Sequence, residues 1–140
     1  MIVLDTNVLS ALMRERPERP VIEWLDRQPA ESLWTTAITL FEVRFGIRSL
    51  PAGRRRNALR DAFEEMLATD LGRRVLEFDD SAAAAAAEIA ARRRAEGRPV
   101  DMRDVQIAGT VAARRGTLAT RNRRHFVGAG IDVVDPWQDG

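Results

Sequence analysis

Short strand-like runs alternate along this chain with longer stretches whose apolar positions recur at helical spacing. Ile2 to Leu4 predict a buried strand, and Thr6 or Asn7 the cap of a helix from Val8 to Glu15 that Pro17 and Pro20 interrupt. Val21 to Arg27 predict a short helix, and Ser32 to Thr36 a second strand. Ala37 to Leu50 read as a helix stopped by Pro51 and Gly53. Arg54 to Leu71 follow as another, with Leu59, Phe63, Met66 and Leu67 along one face. Arg74 to Phe78 predict a third strand, and Asp79, Asp80 and Ser81 offer caps for an alanine-rich helix from Ala82 to about Ala95. Asp101 or Met102 starts a helix that ends at Gly116. Thr117 to Thr120 form a fourth strand, Arg123 to Val127 a turn of helix, and Ile131 to Val134 a fifth strand. This alternation predicts an α/β fold: five strands, mainly parallel, with the first central and helices on both faces of the sheet.

Composition narrows the chemistry. At 140 residues the chain suits one domain, residues 1–140, around one core. The absence of cysteine excludes a disulfide framework, a thiolate metal site and a cysteine nucleophile. No basic, apolar leader and no run long enough to cross a bilayer is visible, so a cytoplasmic protein with no membrane partner is expected. Net charge is only +1, yet every basic residue apart from His125 is arginine. A GC-rich genome accounts for that bias, and arginine also suits bidentate phosphate contacts. The lack of lysine excludes phosphate sites that require one, including those of haloacid-type phosphatases and receiver domains.

Asp5 directly follows the first strand, at the carboxyl end where open α/β sheets place their ligands. Glu42 lies on a helix beside Ile38, Phe45 and Gly46, a face expected to pack inward, where an unpaired carboxylate is costly. Thr39-x-x-Glu42 also spells a capping box, which would occupy that side chain locally. Asp104 shares a face with Ile107, Ala108 and Val111, while Asp101 one turn earlier reads as an N-cap. Asn122 ends the fourth strand, where capping the next turn is its other reading. Asp5, Glu42 and Asp104 should therefore meet at one sheet edge, with Asn122 as a fourth position. Three converging carboxylates repel one another and take up protons unless a cation intervenes. An all-oxygen set suits Mg²⁺ or Mn²⁺, ions that activate water for displacement at phosphorus. His125 has no serine partner in sight and reads as a surface residue.

In order along the chain, Val3-Leu4-Asp5-Thr6-Asn7-Val8, Thr36-Ala37-Ile38-Thr39-x-x-Glu42, Asp104-x-x-Ile107-Ala108, Leu118-Ala119-Thr120-Arg121-Asn122 and Val134-x-Pro136-Trp137 resemble the PIN-domain family. The likeness is closest to the VapC-type ribonuclease toxins of bacterial toxin–antitoxin pairs. The resemblance implies a three-layer α/β/α domain and a Mg²⁺-dependent endoribonuclease with Asp5, Glu42 and Asp104 as its acidic core. Many relatives carry a fourth acid where this chain has Asn122, which puts a tightly held second metal in doubt; Asp101 is a candidate replacement. Arg121, Arg123 and Arg124 flank that position and could hold RNA phosphates. Arg54–Arg56 and Arg92–Arg94 read as solvated helix ends.

The resemblance further implies a homodimer and a cognate antitoxin seated against the helices over 37–71, with DNA met only through the antitoxin. The stripe of Leu59, Phe63 and Leu67 is the expected docking surface. A rival reading is a non-catalytic PIN-like module that binds RNA or a protein.

Overall fold

The computed structural model describes residues 1–139. Five strands form one parallel sheet: β1 (Ile2–Leu4), β2 (Leu33–Thr36), β3 (Val75–Leu76), β4 (Thr117–Ala119) and β5 (Asp132–Val134), in the order β3-β2-β1-β4-β5. The expected central first strand is thus observed, with Ile2 opposite Leu33 on one side and Thr117 on the other. Strands this short suffice because helices cover both faces of the parallel sheet, and Val3, Leu4, Leu118 and Ala119 at its centre are buried. Successive side chains point to opposite faces. Val3 and Leu118 accordingly join one apolar cluster, while Leu4 and Ala119 join the other.

The layer on the Leu4 side holds α1 (Thr6–Leu12), α2 (Arg19–Asp26), α3 (Ala37–Arg48) and α4 (Arg54–Thr69). Opposite them, α5 (Asp80–Ala95) and α6 (Met102–Ala113) cover Val3 and Leu118 through Ile89, Val105, Ile107 and Val111. The three-layer α/β/α arrangement matches the expectation. The alanine tract explains how α5 fits: Ala82 and Ala86 let its backbone approach Gly109 of α6 so closely that a Cβ there would meet the Ala86 nitrogen at 2.5 Å.

Several boundaries differ from the sequence reading. Asp5, not Thr6 or Asn7, caps α1, because its backbone is extended and its carboxylate already accepts the Thr6 N–H. Pro20 sits in the first turn of α2 instead of ending a helix, since a missing N–H costs nothing there. The third strand is only Val75–Leu76, shorter than the expected run to Phe78. The stripe on α4 packs mostly inward: Phe63 and Leu67 are buried within this chain's own core, and Leu59 is half-buried against it. The exposed apolar residues of this layer lie on α3 instead, where Phe41 is 70% and Phe45 65% exposed and their rings stack at 6.0 Å. Phe45 therefore does not pack inward as its spacing suggested. No helix among the described residues is long and apolar enough to cross a membrane.

Candidate active site

The carboxyl end of the sheet gathers the site. Asp5 continues β1 by one residue, its N–H bonded to the Ala119 carbonyl at 3.0 Å, so the ladder itself delivers its side chain to the edge. That side chain is fully buried. Its Oδ1 accepts from the Thr6 N–H at 2.8 Å and from Arg103 Nη2 at 2.6 Å, and its Oδ2 accepts from Thr120 Oγ1 at 2.8 Å.

Glu42 reaches the same place from the second turn of α3. It does not close a capping box with Thr39. Thr36 caps that helix instead, its hydroxyl accepting the Thr39 N–H at 3.0 Å, which leaves Glu42 free to pair with Arg103 Nε. Asp104 arrives from the first turn of α6, whose cap is Asp101: the Asp101 carboxylate accepts the Asp104 N–H at 2.9 Å. Asp104 is nearly buried, with Oδ1 2.9 Å from Arg103 Nη1 and Oδ2 3.5 Å from His125 Nδ1. Burial pushes its carboxyl pKa up and the Asp101 charge adds to this, while Arg103 and His125 pull the other way.

Arg103 is the residue that sequence reasoning missed. Its guanidinium binds all three acids at once, and Nη2 also reaches the Thr6 hydroxyl at 3.1 Å. Burial alone would lower its pKa, but the charges of Asp5 and Glu42 outweigh that and raise it above the ordinary arginine value. The only signal in the sequence was its place between Asp101 and Asp104. Helix-face spacing could not find it, because a long side chain folds back over neighbouring positions.

Asn122, Asp101 and His125 line the same cleft of about 350 Å³, together with Thr6, Asn7, Glu42, Arg103 and Asp104. Asn122 stands at the N-terminus of the turn over Arg123–Phe126, but its side chain makes no capping hydrogen bond there. His125 is half-exposed, as expected, but it stands at the rim of the site. Its carbonyl is held by Arg93 Nη2 at 2.9 Å, while Arg92 Nη2 bonds the Gly128 carbonyl at 3.3 Å. Arg92 and Arg93 thus tether the 125–128 segment from the last turn of α5, where Arg92 and Arg94 remain exposed as the sequence suggested.

The three flanking arginines diverge. Arg124 lines a second cleft, of about 360 Å³, with Arg98 and His125, which adjoins the acids through Asp101 and Asp104. Arg121 stacks over the Trp137 ring at 4.8 Å, and Arg123 pairs with Asp139. A larger, apolar cleft of about 760 Å³ lies against the alanines of α5 and Phe78, Val100 and Met102, and no carboxylate lines it.

Among the described residues no three acids or histidines are grouped at the spacing of a metal site, and the cation amid the acids is Arg103. The donors nevertheless fit a hard divalent ion in kind: they are carboxylate oxygens, one set fully buried, already arranged around a positive charge.

Residues 2–130 match the PIN domain family. The chain belongs to that family. It is 40% identical over 138 residues to the VapC ribonuclease Y4jK of Sinorhizobium fredii, covering 99% of each protein. It is 35% identical over 139 residues to the toxin FitB of Neisseria gonorrhoeae, covering 99% of this chain and all of that one. Among solved structures, FitAB bound to an IR36 DNA fragment superposes with a TM-score of 0.90 at 35% identity, over 99% of this chain and 96% of that one. The resemblance to VapC-type PIN domains read from the sequence therefore holds, and in this member Asp5, Glu42 and Asp104 converge on an arginine.

Proposed function

We propose that this PIN domain is a divalent-metal-dependent endoribonuclease and the toxin of a toxin–antitoxin pair. The observation that carries the reading is the convergence of Asp5, Glu42 and Asp104 on one cationic position at the carboxyl edge of the sheet. The names of its relatives, a VapC ribonuclease and a toxin, support the same class.

Asp5, Glu42 and Asp104 would hold Mg²⁺ or Mn²⁺, with Asn122 adding a neutral oxygen at the fourth position. When bound, such an ion supplies a Lewis acid for the phosphoryl oxygens and lowers the pKa of an attacking water. The remaining work falls to the chain. Thr120 and the Thr6 N–H fix the Asp5 carboxylate, the N-terminus of α6 favours negative charge at Asp104, and Asp101 secures that helix end. Arg98 and Arg124, in the adjoining cleft, offer guanidinium donors to the flanking phosphates of an RNA strand. Arg121 and Arg123 are committed to Trp137 and Asp139 and serve the strand less directly.

The test is cleavage of a structured RNA by the purified protein. Activity should appear in Mg²⁺ or Mn²⁺ and stop on adding EDTA. Cleavage that continues in EDTA would overturn the metal-dependent mechanism, and no cleavage in either ion would favour a binding module.

The exposed Phe41–Phe45 pair on α3 favours an antitoxin segment as partner, since two stacked, water-exposed rings form an apolar anchor point beside the acidic cleft. Co-expression of Phe41→Ser/Phe45→Ser with the cognate antitoxin should weaken their complex at least about tenfold, a loss of roughly 1.4 kcal/mol. Unchanged affinity would place the antitoxin elsewhere. The α5–α6 face, with Phe78 and Met102 exposed, is the surface we assign to a homodimer, which light scattering of the purified protein checks.

A further inference from the structure

The acids of this site are partly neutralised by the chain itself. Arg103 donates from Nη2 to Asp5 and Thr6 and from Nη1 to Asp104, and its Nε lies in ion-pair contact with Glu42. A guanidinium is a rigid fork of N–H donors, and this one hydrogen-bonds Asp5 and Asp104 while standing in ion-pair contact with Glu42, three carboxylates from three different elements. The side chain is only 28% exposed, so the arrangement is enclosed and not a surface pairing. Arginine keeps its charge at every working pH, so the position is never left without a cation.

A divalent ion held by Asp5, Glu42 and Asp104 needs the same lone pairs that Arg103 now occupies. Both cations cannot have them. Three carboxylates also outnumber the single guanidinium, so exchanging it for a doubly charged ion neutralises the cluster more fully.

We propose that Arg103 is an internal competitor for the divalent cation: it holds Asp5, Glu42 and Asp104 in the metal-free protein and must release them for the ion to bind. The proposal rests on the reading of those three acids as metal ligands. Arg103 thereby sets the metal affinity, weakening it by the free energy of its own ion pairs. In return it keeps the acids, of which Asp5 and Asp104 are buried, folded together while no ion is present.

The experiment is calorimetric titration of Mn²⁺ into the full-length wild type, Arg103→Gln, Arg103→Lys and Asp5→Asn, each confirmed folded by circular dichroism. Arg103→Gln should bind Mn²⁺ about tenfold tighter or more, within the ~5–150-fold span usual for coupled binding events. Arg103→Lys keeps the charge but cannot span three acids, so its affinity should fall between Gln and wild type. Without metal, Arg103→Gln should melt below wild type and gain more from added Mn²⁺. If Arg103→Gln does not fold, a Lys variant that binds tighter than wild type supports the proposal and one that does not overturns it. Wild-type binding that is lost in Asp5→Asn but unchanged or weaker in the Arg103 variants would overturn the competition while leaving the ligand assignment standing. No Mn²⁺ binding by any of the proteins would overturn both.

Discussion

Thr120 joins three parts of the site through one hydroxyl. Its Oγ1 donates to Asp5 Oδ2 at 2.8 Å and accepts from Asn7 Nδ2 at 3.2 Å and from the Asn122 N–H at 3.1 Å. Thr120 and Asp5 are both fully buried, so neither end of their bond can turn to water instead. Thr120→Val keeps the shape and removes the hydroxyl, leaving Asp5 with an unpaired lone pair in a dry environment. We expect a stability loss of about 1–3 kcal/mol, the usual cost of orphaning a buried polar group, measured by urea denaturation. A change within ~0.5 kcal/mol would show that the bond does not matter. The sequence marks Thr120 as the end of a strand and as part of the Leu118-Ala119-Thr120-Arg121-Asn122 motif, with no role of its own. Its role was not legible, because a β-strand threonine is an ordinary sheet former and only the fold brings residues 5, 7 and 120 together. Asp5 was legible, since an acid directly after a buried first strand has only one end of the sheet to occupy.

The helices carry the next set of constraints. Gly109 on α6 sits where a Cβ would approach the Ala86 nitrogen to 2.5 Å and the Ala82 carbonyl to 2.7 Å. Alanine gains up to about 1 kcal/mol over glycine from helix propensity alone. Here overpacking against backbone opposes that gain, at about 1–3 kcal/mol. Gly109→Ala should therefore lower the melting temperature, and a higher one would mean that α5 and α6 separate easily. The seam between them is also pinned at its edge, where Asp79 caps α5 and pairs with Arg114 at 2.6 Å.

The Ala82 N–H bonded to Asp79 lowers its carboxyl pKa below 3.8; desolvation opposes this, and Arg114 adds to the lowering. Asp79 thus binds protons less readily folded than unfolded. Its contribution is complete above 3.8 and disappears as pH falls through the lower folded value. Asp79→Asn should flatten the fall of urea midpoints over that acid window, and an unaltered slope would remove Asp79 from the account. The element order, the parallel sheet and most helix ends were visible beforehand, because glycine, proline and capping residues punctuate them. The Thr39-x-x-Glu42 capping box misled because Thr36, one turn earlier, already fills that role. Arg103 escaped because its partners lie on three separate elements.

At the scale of the molecule, one sheet edge collects Asp5 from β1, Glu42 from α3 and Asp104 from α6, while the apolar layers hold those elements in register. The docking surface was the least legible feature. Leu59, Phe63 and Leu67 have the spacing of a partner stripe, but spacing cannot distinguish a chain's own core from another protein, and this stripe packs inward. The central claim is that the three acids act as one unit on an RNA phosphodiester. It is tested most directly by the rate of RNA cleavage in Mg²⁺ for folded Asp5→Asn, Glu42→Gln and Asp104→Asn, singly and together. Each single change should reduce the rate by more than about 100-fold, beyond the ~10–100-fold usual for residues that only support a ligand. The triple variant should be little worse than the singles, because groups acting as a unit are not additive. Cleavage that any two of the single variants sustain at the wild-type rate would contradict the account.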